Sequence, residues 1–128
     1  AVARRNIKRH RVAVGAFVGD LTTAVTPPWD LVMANLPYIP SAELDRLPAE
    51  VRHDPPLALD GGVDGLDLVR RLFADLPRVL RVCGAVVLEV GENQATGLTN
   101  LAYEAGLAVA RRVKDAGGCE RVVVLQPR

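Results

Sequence analysis

Apolar positions fall into blocks of two periods, separated by stretches rich in proline and glycine. Ala1–Arg11 sets Val2, Ala3 and Ile7 apart from Arg4, Arg5, Lys8, Arg9 and Arg11, which predicts the end of a helix. Gly15 is assigned to the turn that follows, and Val12–Val18 to a strand ending at Gly19-Asp20-Leu21. Thr22–Pro28 reads as a loop, and Trp29 as packing against the sheet edge. Leu31-Val32-Met33-Ala34 has the length and type of a buried parallel strand. Ser41–Leu47 predicts a short helix with Ser41 as its N-cap. Pro48, Pro55 and Pro56 then mark a long ordered loop, and loops of that length in compact domains are more often functional than not. Beyond the turn Gly61–Gly65, Val69, Leu72, Phe73, Leu76, Val79 and Leu80 recur at helical spacing. Asp64 or Asp67 would cap that helix, Pro77 would kink or restart it, and Gly84 would close it. Ala85–Val90 predicts a second buried strand. Glu92–Gly106 predicts a helix with Ala95, Leu98, Leu101, Ala102 and Ala105 on one face. Leu107–Val113 and Arg121–Gln126 predict two strands joined through Asp115-Ala-Gly-Gly118 as an antiparallel hairpin.

Composition narrows the class. The chain has 128 residues, 49% of them hydrophobic, enough for one domain with a real core. No run approaches the ~18 apolar residues of a membrane span. No signal peptide is expected, and the chain begins with Ala rather than Met. A net charge of +1 does not argue for a nucleic-acid partner. The basic patch on the first helix could touch phosphate, but it reads more simply as a solvated face. Cys83 and Cys119 lie far apart without metal-ligand spacing, as ordinary thiols in a reducing cytoplasm do. No metal site is expected. Arginine far outweighs Lys8 and Lys114, and with so much Ala, Val and Leu this suggests a bacterial gene of high GC content.

The candidate chemistry lies in Asp30–Pro40. The apolar run stops at Asn35, and Pro37 and Pro40 hold Leu36 and Ile39 toward extended geometry. An amide side chain (Asn35), the carbonyls of Leu36 and Pro37 and the Tyr38 ring thus gather beyond a strand's carboxyl end, where open α/β sheets bind ligands. The cluster offers no acid, base or nucleophile. It offers acceptors for a planar N–H₂ group and a flat ring beside them, an arrangement suited to positioning a weak nitrogen nucleophile. Near-attack geometry of that kind can be worth roughly 7–11 kcal/mol. The plainer alternative is a strand followed by a proline-rich turn. Gly61-Gly62-Val63-Asp64-Gly65 is no dinucleotide fingerprint, because no apolar strand precedes it directly. His53 reads as a surface loop residue. Glu89 reads as a strand-end carboxylate that fixes neighbouring backbone.

Asn35-Leu-Pro-Tyr38 resembles the Asn-Pro-Pro-Tyr motif of S-adenosylmethionine-dependent amino-methyltransferases. With Ile39-Pro40, Glu50-Val-Arg52, Pro56–Asp67, Leu88-Glu-Val-Gly91 and Gln94, the chain from about Ala1 to Arg128 resembles the release-factor glutamine N5-methyltransferases (HemK/PrmC type). Leucine replaces proline at position 36, but the family uses that residue's backbone carbonyl, which leucine also supplies. The resemblance implies a class I methyltransferase sheet, α/β and Rossmann-like, closing in an antiparallel hairpin. It assigns S-adenosylmethionine as cofactor, with Asp20, Leu21 and Asn35 on the cofactor side. It assigns Asn35, Leu36, Pro37 and Tyr38 to the reacting amide, and Glu50 and Arg52 to a loop over the substrate. The implied partner is the Gly-Gly-Gln loop of a peptide chain release factor, and the implied setting is the cytoplasm.

Set against the family's strand order 3-2-1-4-5-7-6, the chain would supply strands 3 to 7. The glycine-rich cofactor loop, the ribose-binding acid and the helical docking domain of the family have no counterpart in it. Residues 1–128 are therefore expected to be one partial catalytic domain. Alone it should bind the cofactor weakly or not at all, with strand 3 poorly anchored or paired with another copy. Two rival readings stay open. An N6-adenine or guanine N2 methyltransferase would use the same cluster on a flipped base, although no basic, aromatic-rich face follows the first helix. A non-catalytic remnant would serve as a binding or assembly module.

Overall fold

A computed structural model describes residues 2–128. Helix α1 spans Val2–His10 and has no buried residue. Strand β1 (Trp29–Ala34) is followed by three 3-10 segments, Ser41–Arg46, Val51–His53 and Pro56–Ala58. Helix α2 (Asp67–Val79) leads directly into β2 (Leu80–Glu89), and α3 (Ala95–Glu104) into the hairpin of β3 (Leu107–Lys114) and β4 (Glu120–Pro127).

The sheet order is β1-β2-β4-β3. β1 and β2 run parallel, with Val32 opposite Val86 and Ala34 opposite Leu88. β4 is antiparallel to both β2 and β3. This is the expected order 4-5-7-6, with α2 as the crossover between the parallel strands. Alternation along β2 buries Gly84, Val86 and Leu88 on one face. There α2 contributes Val69, Leu72, Phe73, Leu76 and Val79, and α3 contributes Ala95, Leu98 and Ala102. Val123 and Leu125 of β4 and Leu107 of β3 complete the core. Burial of these apolar side chains is the main stabilising term.

Several expectations are corrected. No strand forms over Val12–Val18. Val14, Phe17 and Val18 are 57%, 58% and 99% exposed, because no strand among the described residues pairs with the outer edge of β1. An extended segment without a ladder partner does not register as a strand. β1 itself forms, but as a half-covered edge: Leu31 and Met33 are 48% and 72% exposed. Trp29 is its first residue and stands 43% exposed. Pro77 neither kinks nor restarts α2, since it falls in the final turn, where little helix remains to disrupt. The helix ends at Val79, with the Leu80 N–H donating to the Leu76 carbonyl. Gly84 is therefore no cap. It lies buried within β2, where a Cβ would sit 2.8 Å from Leu80 Cδ1. The register skips from Trp29–Leu80 to Leu31–Ala85, so the irregular part of β2 surrounds Gly84. Ser41 does not cap its segment. Its hydroxyl donates to Asp60 Oδ1 at 2.7 Å. α3 starts at Ala95 rather than Glu92, because Gly91–Gln94 forms a turn with Asn93 at φ 65°.

Candidate active site

β1 delivers the chain to Asn35, and the segment beyond is held by a second backbone rather than by its prolines alone. Ile39 N–H donates to the Leu59 carbonyl at 3.0 Å, Gly61 N–H to the Ile39 carbonyl at 2.8 Å, and Ser41 N–H to the Gly62 carbonyl at 2.9 Å. Ile39 and Asp60 thus form a parallel bridge. Asp60 adds its side chain to this seam, Oδ1 accepting from the Gly62 N–H at 2.9 Å and from Ser41. Those hydrogen bonds, Ser41 first and then Gly62, hold its carboxyl below the usual carboxylate range.

Glycines let the two backbones approach. A Cβ on Gly61 would meet the Pro37 carbonyl at 2.8 Å, and one on Gly65 would meet the Tyr38 carbonyl at 2.1 Å. A Cβ on Gly91, just past the end of β2, would lie 3.0 Å from Tyr38 Cδ2. The half-buried Tyr38 ring therefore stands against the β2 terminus. The Gly61–Gly65 turn is braced in its own right. Asp64 accepts from Leu66 N–H at 3.1 Å and pairs with Arg70 at 2.5 Å. The Arg70 hydrogen bond holds the Asp64 carboxyl down to about 2.

Against this hydrogen-bonded frame, the candidate groups are unengaged. Asn35 is exposed, and no group among the described residues hydrogen-bonds its carboxamide or the Leu36 carbonyl. Asn35 and Leu36 close one end of an open cleft of about 560 Å³ that runs along β1, lined also by Phe17, Leu21, Thr22 and Val25. The structure thus brings Leu21 and Asn35 to the same cleft. Asp20 is exposed beside it, with Oδ2 paired to Arg71 Nη2 at 2.5 Å. The loop carrying both is fastened to α2. The Thr22 hydroxyl donates to Asp75, and Arg78 donates to the Thr22 carbonyl at 3.1 Å.

Other expected residues fall elsewhere. Glu50 and Arg52 lie exposed on the loop around the second 3-10 segment, and neither side chain hydrogen-bonds to the Asn35 motif. Glu89 is exposed at the end of β2 and fixes no backbone group among the described residues, contrary to expectation. It stands out because strand alternation turns it away from the helix-covered face. Among the described residues no group of three or more His, Cys, Asp or Glu comes together as a metal site. No helix there is long and apolar enough to cross a membrane.

A parallel pair followed by an antiparallel hairpin matches the closing strand order of a class I methyltransferase sheet. A ribosomal protein L11 methylase from Lactobacillus delbrueckii subsp. bulgaricus superposes with a TM-score of 0.67 at 13% identity, over 98% of this chain and 51% of that one. No family model matches the chain. Curated relatives do. It is 44% identical over 112 residues to a release factor glutamine methyltransferase of Rhodospirillum rubrum, covering 87% of the chain and 34% of the relative. It is 50% identical over 128 residues to one from Gloeobacter violaceus, covering 96% and 45%. A ribosomal protein uL3 glutamine methyltransferase of Francisella tularensis is 37% identical over 73% of the chain and 31% of that relative. The chain belongs to the release factor glutamine methyltransferase family, matching the C-terminal part of its members. It spans less than half the length of these relatives.

Proposed function

We propose that this chain forms the amide-recognition half of a site that methylates the side-chain nitrogen of the glutamine in the Gly-Gly-Gln motif of a release factor. The observation that carries the reading is the pair of unengaged acceptors, Asn35 Oδ1 and the Leu36 carbonyl, on a backbone fixed by the Ile39–Asp60 seam. Two N–H bonds of a primary amide can donate to these two oxygens. Such acceptors fix the nitrogen and turn its face toward the cleft, which is how positioning lowers a barrier. Tyr38, carried on the same segment, packs against the amide plane. The relatives support the same substrate group, since the release factor and ribosomal protein uL3 methyltransferases among them are both glutamine methyltransferases.

The chain's residues fit S-adenosylmethionine in part. The cleft wall of Phe17, Leu21 and Val25 suits an apolar ring, and Asp20 keeps Oδ1 without a hydrogen bond among the described residues, available to an amino group. When bound, that cofactor supplies an electrophilic methyl group on a positively charged sulfur. Asn35 and Leu36 would hold the attacking nitrogen, and water reaching the open cleft would take the one proton that the nitrogen gives up. Glu50 and Arg52 sit on the loop that would close over the incoming peptide. A substrate from the translation machinery would be met in the cytoplasm.

The test is the mass of a release-factor Gly-Gly-Gln fragment after incubation with S-adenosylmethionine and the full-length protein that contains this chain. Asn35→Ala should lower the methylation rate by about 100-fold or more. A near-normal rate in that variant would remove Asn35 from its role. Methylation of DNA or RNA instead of the fragment would shift the reading to the nucleic-acid alternative.

A further inference from the structure

Gln94 lies on neither the cleft nor β1, yet its carboxamide touches three stretches of backbone around the site. Oε1 accepts from the Gly91 N–H at 2.9 Å. Nε2 donates to the Tyr38 carbonyl at 2.8 Å and to the Asp64 carbonyl at 3.3 Å. One acceptor and two donors thus each have a partner, on three separate stretches of chain: the β2 terminus, the Asn35 motif and the glycine turn. The orientation follows from the partners. Reversing the amide would set its oxygen against two carbonyls and its nitrogen against an N–H. The glycines leave room for this group and nothing larger. A Cβ on Gly65 would stand 2.3 Å from Nε2, and one on Gly91 would stand 2.8 Å from Oε1.

We propose that Gln94 is a positioning residue that sets where the Asn35–Tyr38 segment presents its acceptors, by tying the Tyr38 carbonyl to the β2 terminus and the glycine turn. This deepens, and rests on, the proposed amide substrate. Gln94 consumes the Tyr38 carbonyl, so the carbonyls left facing a ligand are those nearer Asn35. Because the Tyr38 ring lies over Gly91, the same tie fixes the ring that flanks the substrate. Gln94 does not touch the reacting atoms and takes no part in proton transfer.

The discriminating variant is Gln94→Glu. It keeps the side chain's shape and the acceptor for Gly91, but above its pKa it turns a carboxylate toward two carbonyl oxygens. Those neighbours and partial burial raise the pKa above the ordinary ~4.3 of glutamate. Protonation returns one donor and therefore restores the tie to Tyr38. A residue that merely filled space would show no such recovery. The experiment is an NMR titration of this chain with a Gly-Gly-Gln peptide, following the Leu36, Tyr38 and Gly91 amides, at about pH 8 and about pH 5. In Gln94→Glu at the higher pH, the Leu36 and Tyr38 resonances should move and peptide affinity should fall about 10-fold or more. Both should return toward wild type at the lower pH. Unmoved Leu36 and Tyr38 resonances, or unchanged affinity with moved resonances, would overturn the proposal. If the wild-type chain binds no peptide while the Tyr38 resonance still shifts and recovers with pH, the tie stands and the substrate reading fails.

Discussion

Gly65 shows how narrowly the site is drawn at the scale of single residues. Its φ of 76° lies where side chains are strained, and the space where a Cβ would go is taken by the Tyr38 carbonyl at 2.1 Å. Gly65→Ala therefore carries a backbone penalty of about 1–3 kcal/mol and must also push the Asn35 motif aside. Its urea midpoint should fall, and the Tyr38 resonances should shift with it. A variant of unchanged stability would mean the turn can open without disturbing the motif. Asn35, Leu36, Pro37 and Tyr38 stand out in the sequence as a candidate cluster because amide, proline and aromatic lie close together after an apolar run. The role of Gln94 does not. The sequence places Gln94 inside the expected helix Glu92–Gly106, and its three partners come from Tyr38, Asp64 and Gly91, which chain order keeps apart. Gly61 and Gly65 likewise read as turn residues. What they accommodate, the carbonyls of Pro37 and Tyr38, is a tertiary approach without a local signature.

Among elements, the turn between the 3-10 segments and α2 carries two carboxylates whose charges bear on stability. Asp64 is held down to about 2 from an ordinary 3.8, chiefly by the Arg70 hydrogen bond and then by the Leu66 N–H. Asp60 is lowered in the same direction by Ser41 and Gly62. A carboxyl whose folded pKa lies below its unfolded one stabilises the fold fully above the unfolded value. That contribution is lost as pH falls through the folded one. The window thus runs from about pH 4 down to about pH 2. The Asp64 side chain is 47% exposed, so solvent screens much of the effect. Urea midpoints should decline across this window, and Asp64→Asn should flatten the decline. An equally steep decline in the variant would assign the acid sensitivity to other carboxylates. The elements themselves follow apolar periodicity where both packing partners lie in the chain: α2, α3 and the β3–β4 hairpin form over the stretches the spacing marks, with α3 starting three residues late. Val12–Val18 has the same strand character without a ladder neighbour and stays irregular, because hydrogen-bonded pairing is a property of two segments.

At the scale of the molecule, the sheet has one finished side and one open one. β3 lies at one edge beside its hairpin partner, whereas β1 at the other carries Leu31 and Met33 into solvent. The cleft beside Asn35 lies along this open edge. Its outer wall is the Gly15–Val25 segment, whose backbone hydrogen bonds are local, such as Val25 N–H to the Thr22 carbonyl. Among the described residues, side chains fasten that wall to α2 through Asp20 to Arg71 and Thr22 to Asp75 and Arg78. A ligand entering here would have to order Phe17 and its neighbours at its own expense, and each ordered residue costs roughly 1–2 kcal/mol of backbone entropy. Apolar burial against a single wall, with the opposite side of the cleft open to water, does not offset several such residues. Calorimetric titration of this chain with S-adenosylmethionine should therefore show no saturable binding in the micromolar range. A clear micromolar isotherm would mean that the Gly15–Val25 wall is already set, and that α2 anchors it along its whole length.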